Sequence, residues 1–349
     1  MSPHKKPLVS LVVPAKDSGE YLLTSLGSLG RQFDDPRELE VIVINDGSVD
    51  DTGDIAEGFS ARLPGLRVLH NDTPTGLANA RNQGVASSVG RFIAFLDADD
   101  WLAPGQLPWL ARNLKDLDVD FIRVDHISVQ GRKRSLRRAP FARRGISLNP
   151  RQGILPTSAP TMVDYPYAWA GMFNRRVADA GLLDFPTGLH TAEDRSWIWR
   201  LHLQAESFAV LDSPGIYYRR GIPGSLTQIF DRRQLDFIPA FAGVFALVAA
   251  DDDAGTFWPK AARNFLAILA HQVGRSEQMT GAVRRELQER AANLCRLMPA
   301  DVLDRALSEL DQKRFAMVRA IATGNRGWWS RAAGSGRPML GRTVGRRSA

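Results

Sequence analysis

Short apolar runs alternate with amphipathic stretches through the first hundred positions. Leu8–Val13, Glu40–Ile44, Leu66–His70 and Arg91–Leu96 read as buried strands. Between them, a segment starting at Ser18 or Gly19 and ending at Leu29, then Asp50–Arg62 and Gly76–Ser88, read as helices. Strands separated by helices of this length predict an α/β fold, Rossmann-like, with a mostly parallel sheet covered on both faces. In such sheets ligands bind beyond the carboxyl ends of the strands. Candidate chemistry is therefore expected just after residues 13, 44, 70 and 96.

The pattern continues with a helix over 104–116, a strand over 118–129 and a hairpin or loop over 131–151. Ala168–Phe173 reads as a strand, Glu193–Gln204 as a helix, and Phe208–Leu211 and Ile216–Tyr218 as short strands. After about Asp231 only helical periodicity remains, at 231–249, 257–274, 280–297 and 301–321. The expected organisation is an α/β domain over 1–228 with halves 1–102 and 103–228. A helical C-terminal region, 229–325, and a basic Gly- and Ser-rich flexible tail, 326–349, follow.

Composition narrows the class. The 349 residues are 44% hydrophobic and 24% charged, an ordinary globular balance. The single cysteine, Cys295, rules out an internal disulfide or a cysteine-rich zinc site. The opening MSPHKKPLVSLVVP is too short a hydrophobic segment for a signal peptide. Phe237–Ala250 is too short to span a bilayer. A cytoplasmic protein is expected, with peripheral attachment at the inner face of the membrane left open. The net charge of +7 is local. Residues 131–151 carry Arg132, Lys133, Arg134, Arg137, Arg138, Arg143, Arg144 and Arg151 and no acid, and residues 326–349 carry six arginines and no acid. The first cluster is equally a solvated loop or a site for an anionic partner, such as a phosphate-bearing polymer or an acidic lipid surface. Trp328 and Trp329, beside the tail, fit either an interfacial contact or packing of the last helix.

Four segments place polar groups at the expected sheet edge. In FLDADDWL (95–102), Asp97 and Asp99 are two apart in extended chain and face one way. Two hard oxygens there suit Mg²⁺ or Mn²⁺, and equally suit a turn that leads into the next helix. In INDGS (44–48), Asp46 is either a hydrogen-bond acceptor for a base or ribose, or the acid of an Asx turn. Pro14 and Ala15, after the first strand, can flank a base or simply punctuate the chain. Arg81, on the helix of NDTPTGLANARNQG, either reaches a diphosphate or an aspartate, or forms a solvated face.

Together, in this order, VSLVVPAKD, EVIVINDGSVDDT, NDTPTGLANARNQG and FLDADDWL resemble the family-2 glycosyltransferases. The resemblance implies a GT-A fold and inverting transfer of a sugar from a nucleotide diphosphate donor, expected to be UDP-linked, to a hydroxyl acceptor. By it, residues 1–102 hold the nucleotide sugar and 103–228 hold the acceptor. Asp46 implies the base contact and Arg81 the conserved arginine. Asp97 lies near ribose and metal, and Asp99 is the metal ligand. In TAEDRSWIWRL, Glu193-Asp194 resembles the family's Glu-Asp pair, which makes Asp194 the candidate general base beside Glu193. Read alone, the pair complements a helix dipole. IYYRRGIPGSLT (216–227) resembles the segment that closes over the diphosphate, so Arg219 or Arg220 is expected at phosphate. Relatives often carry a polar residue where Gly221 or Ile222 stands. The expected setting is cell-wall polymer, capsule or other surface-polysaccharide synthesis, with an anionic polymer or lipid-linked glycan as acceptor, and oligomerisation through the helical region left open. The rival from another class is a non-catalytic module that binds nucleotide sugars or glycans. Specific nucleic-acid binding is not expected, because no recognition motif accompanies the arginines.

Overall fold

The computed structural model describes residues 6–222 and 229–322. Residues 223–227 of the expected closing segment, and the tail with Trp328 and Trp329, lie outside the described residues.

Four parallel strands form the frame: β1 (Val9–Ala15), β2 (Leu39–Asp46), β3 (Leu66–Asn71) and β4 (Phe92–Phe95). Every residue of β1, β2 and β4 is buried. That is what aliphatic runs without alternation predict for strands covered on both faces. Helices α1 (Gly19–Leu29) and α3 (Leu77–Ser87) lie where the periodicity predicts. The second helix is shorter than expected: α2 (Thr52–Glu57) ends at Gly58, and residues to Arg62 continue as turns that bury Phe59.

Beyond Asp97–Asp100 come β5 (Trp101–Leu102), α4 (Gln106–Leu117), β6 (Phe121–Val124), β7 (His126–Gln130), β8 (Lys133–Arg137), β9 (Gly171–Asn174), α5 (Arg175–Asp179), α6 (Glu193–Gln204), β10 (Phe208–Leu211) and β11 (Ile216–Arg219). The main sheet has seven strands in the order β10-β6-β9-β4-β1-β2-β3, with β9 antiparallel to both neighbours. A second sheet has the order β5-β11-β7-β8.

The single strand expected over 118–129 is two strands in two sheets. The break falls at Asp125, which is buried. Its Oδ1 accepts from the Ala139 backbone N–H at 2.8 Å and from Arg144 at 2.9 Å. A buried carboxylate needs such partners, and finding them turns the chain out of the main sheet. The basic segment that follows is a β7–β8 hairpin plus a loop.

The C-terminal helices are α7 (Phe237–Ala249), α8 (Ala254–Gly274), α9 (Gly281–Cys295), α10 (Ala300–Ser308) and α11 (Gln312–Ala322). The one helix expected over 301–321 breaks at residues 309–311, a stretch with neither Pro nor Gly to announce it. One apolar core runs from Val9 on β1 to Ile321 on α11 without interruption. Two ion pairs fasten the helices to the α/β part. Arg151 donates to both oxygens of Asp251 and to Asp253 between α7 and α8. Lys260, 1% exposed on α8, donates to Asp164 at 2.6 Å and to the Ala159 carbonyl at 2.8 Å.

Helix α3 lies close on β1 because Gly84 offers no side chain: a Cβ there would stand 2.2 Å from Cγ1 of Val12. Val12 is fully buried in the sheet centre and its branched side chain has little freedom to move. The variant Gly84→Ala is expected to lose about 1–3 kcal/mol from overpacking. Urea denaturation checks this, and an unchanged midpoint would show that α3 can retreat freely.

Candidate functional site

The four loops at the carboxyl edge of β1–β4 hold one another before any ligand is considered. Gly47 follows β2 with φ of +64°, and a Cβ there would meet the Pro74 nitrogen at 2.6 Å, so the turn after β2 packs directly on the loop after β3. Asp46 ties the same two segments. Its Oδ1 accepts from the Asn71 amide (2.8 Å), the Thr75 N–H (2.8 Å) and the Thr75 hydroxyl (2.7 Å), and Oδ2 accepts from the Gly76 N–H (2.8 Å). Burial raises its proton affinity, but these donors outweigh burial and hold the carboxyl below its ordinary value.

Arg81 stands at the centre. It projects from α3, is 4% exposed, and donates through one terminal nitrogen to Asp97 at 3.0 Å and through the other to Glu193 at 2.8 Å. Its guanidinium lies 5.1 Å from the centre of the Phe185 ring. One cation thus joins the acids after β4 to those at the start of α6. The chain enters α6 through Ala192, whose φ of +61° is unusual for a residue with a Cβ. This entry directs Glu193 to Arg81 while Asp194 keeps 27% of its side chain exposed, against 8% for Glu193. Burial pushes both carboxyls up, Glu193 to about 7 with the Asp194 charge as the next cause. Arg195 and Arg81 pull Asp194 the other way.

Asp99 is pushed up to about 6, first by burial and then by the Asp97 charge. Asp100 is fully buried and pushed well up by burial and by both neighbouring aspartates. Its Oδ1 accepts from the Arg219 N–H at 2.7 Å, which clips the turn to β11. The Arg219 guanidinium lies between the Tyr21 and Trp101 rings, at 4.9 and 4.8 Å, and donates to the Asp99 carbonyl. The Asp97 charge acts on Asp99 and the Arg219 charge offsets it only in part, which leaves Asp99 short of positive charge. Among the described residues no three His, Cys, Asp or Glu side chains gather as a ready-made metal cluster. Two carboxylates with a deficit of positive charge fit Mg²⁺ or Mn²⁺, which take few protein ligands and fill their shells with water and phosphate oxygens.

These groups open on one cavity of about 720 Å³. Pro14, Arg81, Asp97, Asp99, Glu193, Asp194 and Arg220 line it. Ala15, Asp46 and Arg219 are not among the lining residues. Several groups without a sequence signal also line it: Lys16 and Tyr21 near β1, Tyr167 and Trp169 before β9, Ile268, His271 and Gln272 of α8, and Arg275 just after it. Only α8 carries a retrospective hint, because Lys260, Asn264 and Gln272 are buried polar residues on an otherwise apolar helix. The 165–169 segment is held by fully buried Arg123, which donates to the carbonyls of Tyr165 (2.9 Å) and Tyr167 (2.8 Å).

The chain shares its fold with a solved structure over 92% of its length. A crystal structure of residues 1–349 of Staphylococcus aureus TarS in complex with UDP-GlcNAc superposes with a TM-score of 0.71, at 20% identity over 92% of each chain. The fold is GT-A, with helices appended at the C-terminus. The profile of glycosyl transferase family 2 matches residues 10–179. Bacillus subtilis EpsH, described as a glycosyltransferase, is 25% identical over 331 residues, 90% of each chain. The poly(ribitol-phosphate) β-N-acetylglucosaminyltransferase TarS of S. aureus is 28% identical over 212 residues, 60% of this chain and 35% of that protein. Residues 10–179 belong to glycosyl transferase family 2, and the protein is a glycosyltransferase.

The raised Glu193 carboxyl carries a sign that can be tested. The folded protein holds this proton more tightly than the unfolded chain, so the stability it contributes is present at low pH and lost as pH rises through about 7. Glu193→Gln keeps an acceptor for Arg81 but cannot ionise. Urea titrations at pH 5 and pH 8 should show a smaller loss of stability in the variant than in the parent. Equal losses would mean that Glu193 is ionised across this range.

Proposed function

We propose that the cavity is the active site of an inverting transferase that moves a sugar from a UDP-linked donor to a hydroxyl acceptor, with Asp194 as the general base. The observation that carries this reading is the Arg81 bridge, which puts Asp97 and Asp194 at one cavity although residues 97 and 194 lie in different halves of the chain. The likeness in fold to an enzyme crystallised with UDP-GlcNAc supports the uridine donor.

Asp97 and Asp99 would hold Mg²⁺ or Mn²⁺, which supplies positive charge to the leaving diphosphate. The chain's own groups do the rest. Pro14, Ala15 and Asp46 shape the edge where the nucleoside sits. Asp46 acts by fixing the turn after β2 against the 71–76 loop. Arg220 faces the cavity beside β11 and suits phosphate. Arg219, held between two rings, keeps the Asp99 backbone in place. Asp194 is the exposed member of its pair, so its carboxylate takes the proton of the attacking hydroxyl. One base and one displacement invert the anomeric carbon. Burial that raises a carboxyl's proton affinity makes it a stronger base once ionised, and Arg195 and Arg81 oppose that rise.

The acceptor side is Tyr167, Trp169, Tyr218 and the α8 residues, so the helical region completes the site. Synthesis of a surface polysaccharide or wall polymer is the setting that the named relatives support. No helix among the described residues is long and apolar enough to cross a membrane.

Asp194→Asn should lower transfer by about 10²–10⁴-fold while leaving donor binding, read by thermal shift with UDP-GlcNAc and Mn²⁺, within twofold of the parent. Transfer at parental rate in a folded D194N protein sinks the assignment. Protons compete with metal for Asp99, so Mn²⁺ affinity measured by titration calorimetry should fall as pH drops through about 6. Asp99→Asn should abolish that affinity. A pH-independent affinity, or full affinity in D99N, would place the metal elsewhere.

A further inference from the structure

The eight basic residues of 131–151 are not one patch. Arg144 is 14% exposed and pairs with Asp125 and Asp212, and Arg151 is committed to Asp251 and Asp253. Arg138 lies 3.7 Å from Asp212. These three stabilise the fold. Arg143 lies over the Phe141 ring and donates to Gln152. What remains is the β7–β8 hairpin with Arg132, Lys133, Arg134 and Arg137, all exposed and with no ion pair among the described residues.

Register decides which way they point. Tyr218 pairs with Ser128, and Ser128 with Ser135. Side chains alternate along each strand, so His126, Gln130, Lys133 and Arg137 share the sheet face that carries Tyr218. The Arg220 N–H donates to the Val129 carbonyl, which continues the ladder and puts Arg220 on that face too. The contacts agree. The Tyr218 ring is 5.9 Å from that of His126, and the Arg220 guanidinium is 5.6 Å from the Tyr218 ring. The opposite face carries Tyr217 stacked on Trp101, with Arg219 over the same Trp101 ring. Tyr218 and Arg220 line the cavity. A cationic surface therefore starts at the cavity and crosses to the free edge of the sheet. His126, buried beside it, is pushed down to about 4, first by burial and then by the charges of Arg137, Arg123 and Arg220, which shows that their fields add.

We propose that this face, through Arg220, Lys133 and Arg137, is the track along which an acceptor chain bearing repeated negative charge enters the cavity. The proposal rests on the transferase reading and names its acceptor class. Arg220 and the cations of β8 stand two strand spacings apart, about 10 Å, so a phosphodiester chain lying across the strands meets them in turn. Edge protection is the competing account of a basic outer strand, but it requires neither continuity with the cavity nor cations on the cavity's own face. An acidic bilayer would instead favour cations beside exposed apolar side chains, and Leu136, the exposed apolar residue of the hairpin, points to the other face.

The test compares the full chain with its Lys133→Glu/Arg137→Glu double variant. Donor-site integrity is read by UDP-GlcNAc and Mn²⁺ thermal shift, which should be the same in both. Titration with poly(glycerol phosphate) at low and moderate salt should show binding that weakens with salt, about tenfold weaker in the variant and with a shallower salt slope. The Lys133→Arg/Arg137→Lys protein should bind as the parent does. Equal polymer binding by parent and variant, or no polymer binding by the parent, overturns the track. So does binding to phosphatidylglycerol vesicles that the variant loses while polymer binding is unaffected, because it assigns the hairpin to a membrane. A parent with no donor shift refutes the transferase reading instead, and the polymer titration is read independently of it.

Discussion

The interaction on which the site depends is a buried arginine held between two carboxylates. Arg81 is the side chain that reaches both the acids after β4 and the acids opening α6. A buried charge is tolerated only when paired and hydrogen-bonded, so the position of each partner follows from the other two. Glu193 must enter the site for Arg81 to be satisfied, and the left-handed turn at Ala192 lets the chain do so. Asp194 then faces the cavity, because its neighbour in sequence is already committed. The third guanidinium nitrogen, Nε, is buried and has no partner among the described residues. The bridge thus stabilises the site only in part, and the remaining cost of burial is borne by the apolar core around Phe185.

The same electrostatic frame separates the two acid groups. Around Glu193 and Asp194 two arginines oppose the effect of burial. Around Asp97, Asp99 and Asp100 the arginines are Arg81, already shared, and Arg219, whose guanidinium is spent on two aromatic rings and a carbonyl. Negative charge is therefore in excess at one end of the cavity and compensated at the other. On the proposed reading a cation and a diphosphate would be drawn to the first, and the general base would belong at the second.

The sheet edge was legible because it obeys local rules. Runs such as LVSLVVP and EVIVIND have the length and branching of buried parallel strands, and acids directly after them can only lie at the carboxyl ends. The placing of Asp97 and Asp99 at that edge follows in this way, whereas Arg81, on a helix, was singled out by the resemblance. What escaped depends on tertiary compensation. The strand break at Asp125 requires Arg144 and the Ala139 N–H to arrive from elsewhere. The break between α10 and α11 has no breaker residue. The α8 wall of the cavity lies far in sequence from Asp97 and Asp99 and is joined to the segment before β9 by Lys260 and Asp164, a pairing that no periodicity reveals. The basic segment was misread as a unit for a related reason: charge counted along the chain does not distinguish arginines that fold the protein from those that face solvent.

That distinction changes what the helical region means. A helical appendage packed on a finished domain would have its own core and a polar seam. Here the apolar core is continuous, and polar ties such as Arg151 to Asp251, Thr191 to Asp236 and Lys260 to Asp164 cross the seam, the last of them at the cavity. Lys260 clamps Asp164, at the start of the segment that carries Tyr167 and Trp169, while Arg123 grips the same segment from inside the sheet. The wall facing an acceptor is thus fixed from both sides by buried cations. Its shape is set by α8 as much as by the sheet. Differences in acceptor among proteins of this fold can then arise from the helices and the small sheet, with the donor edge unchanged.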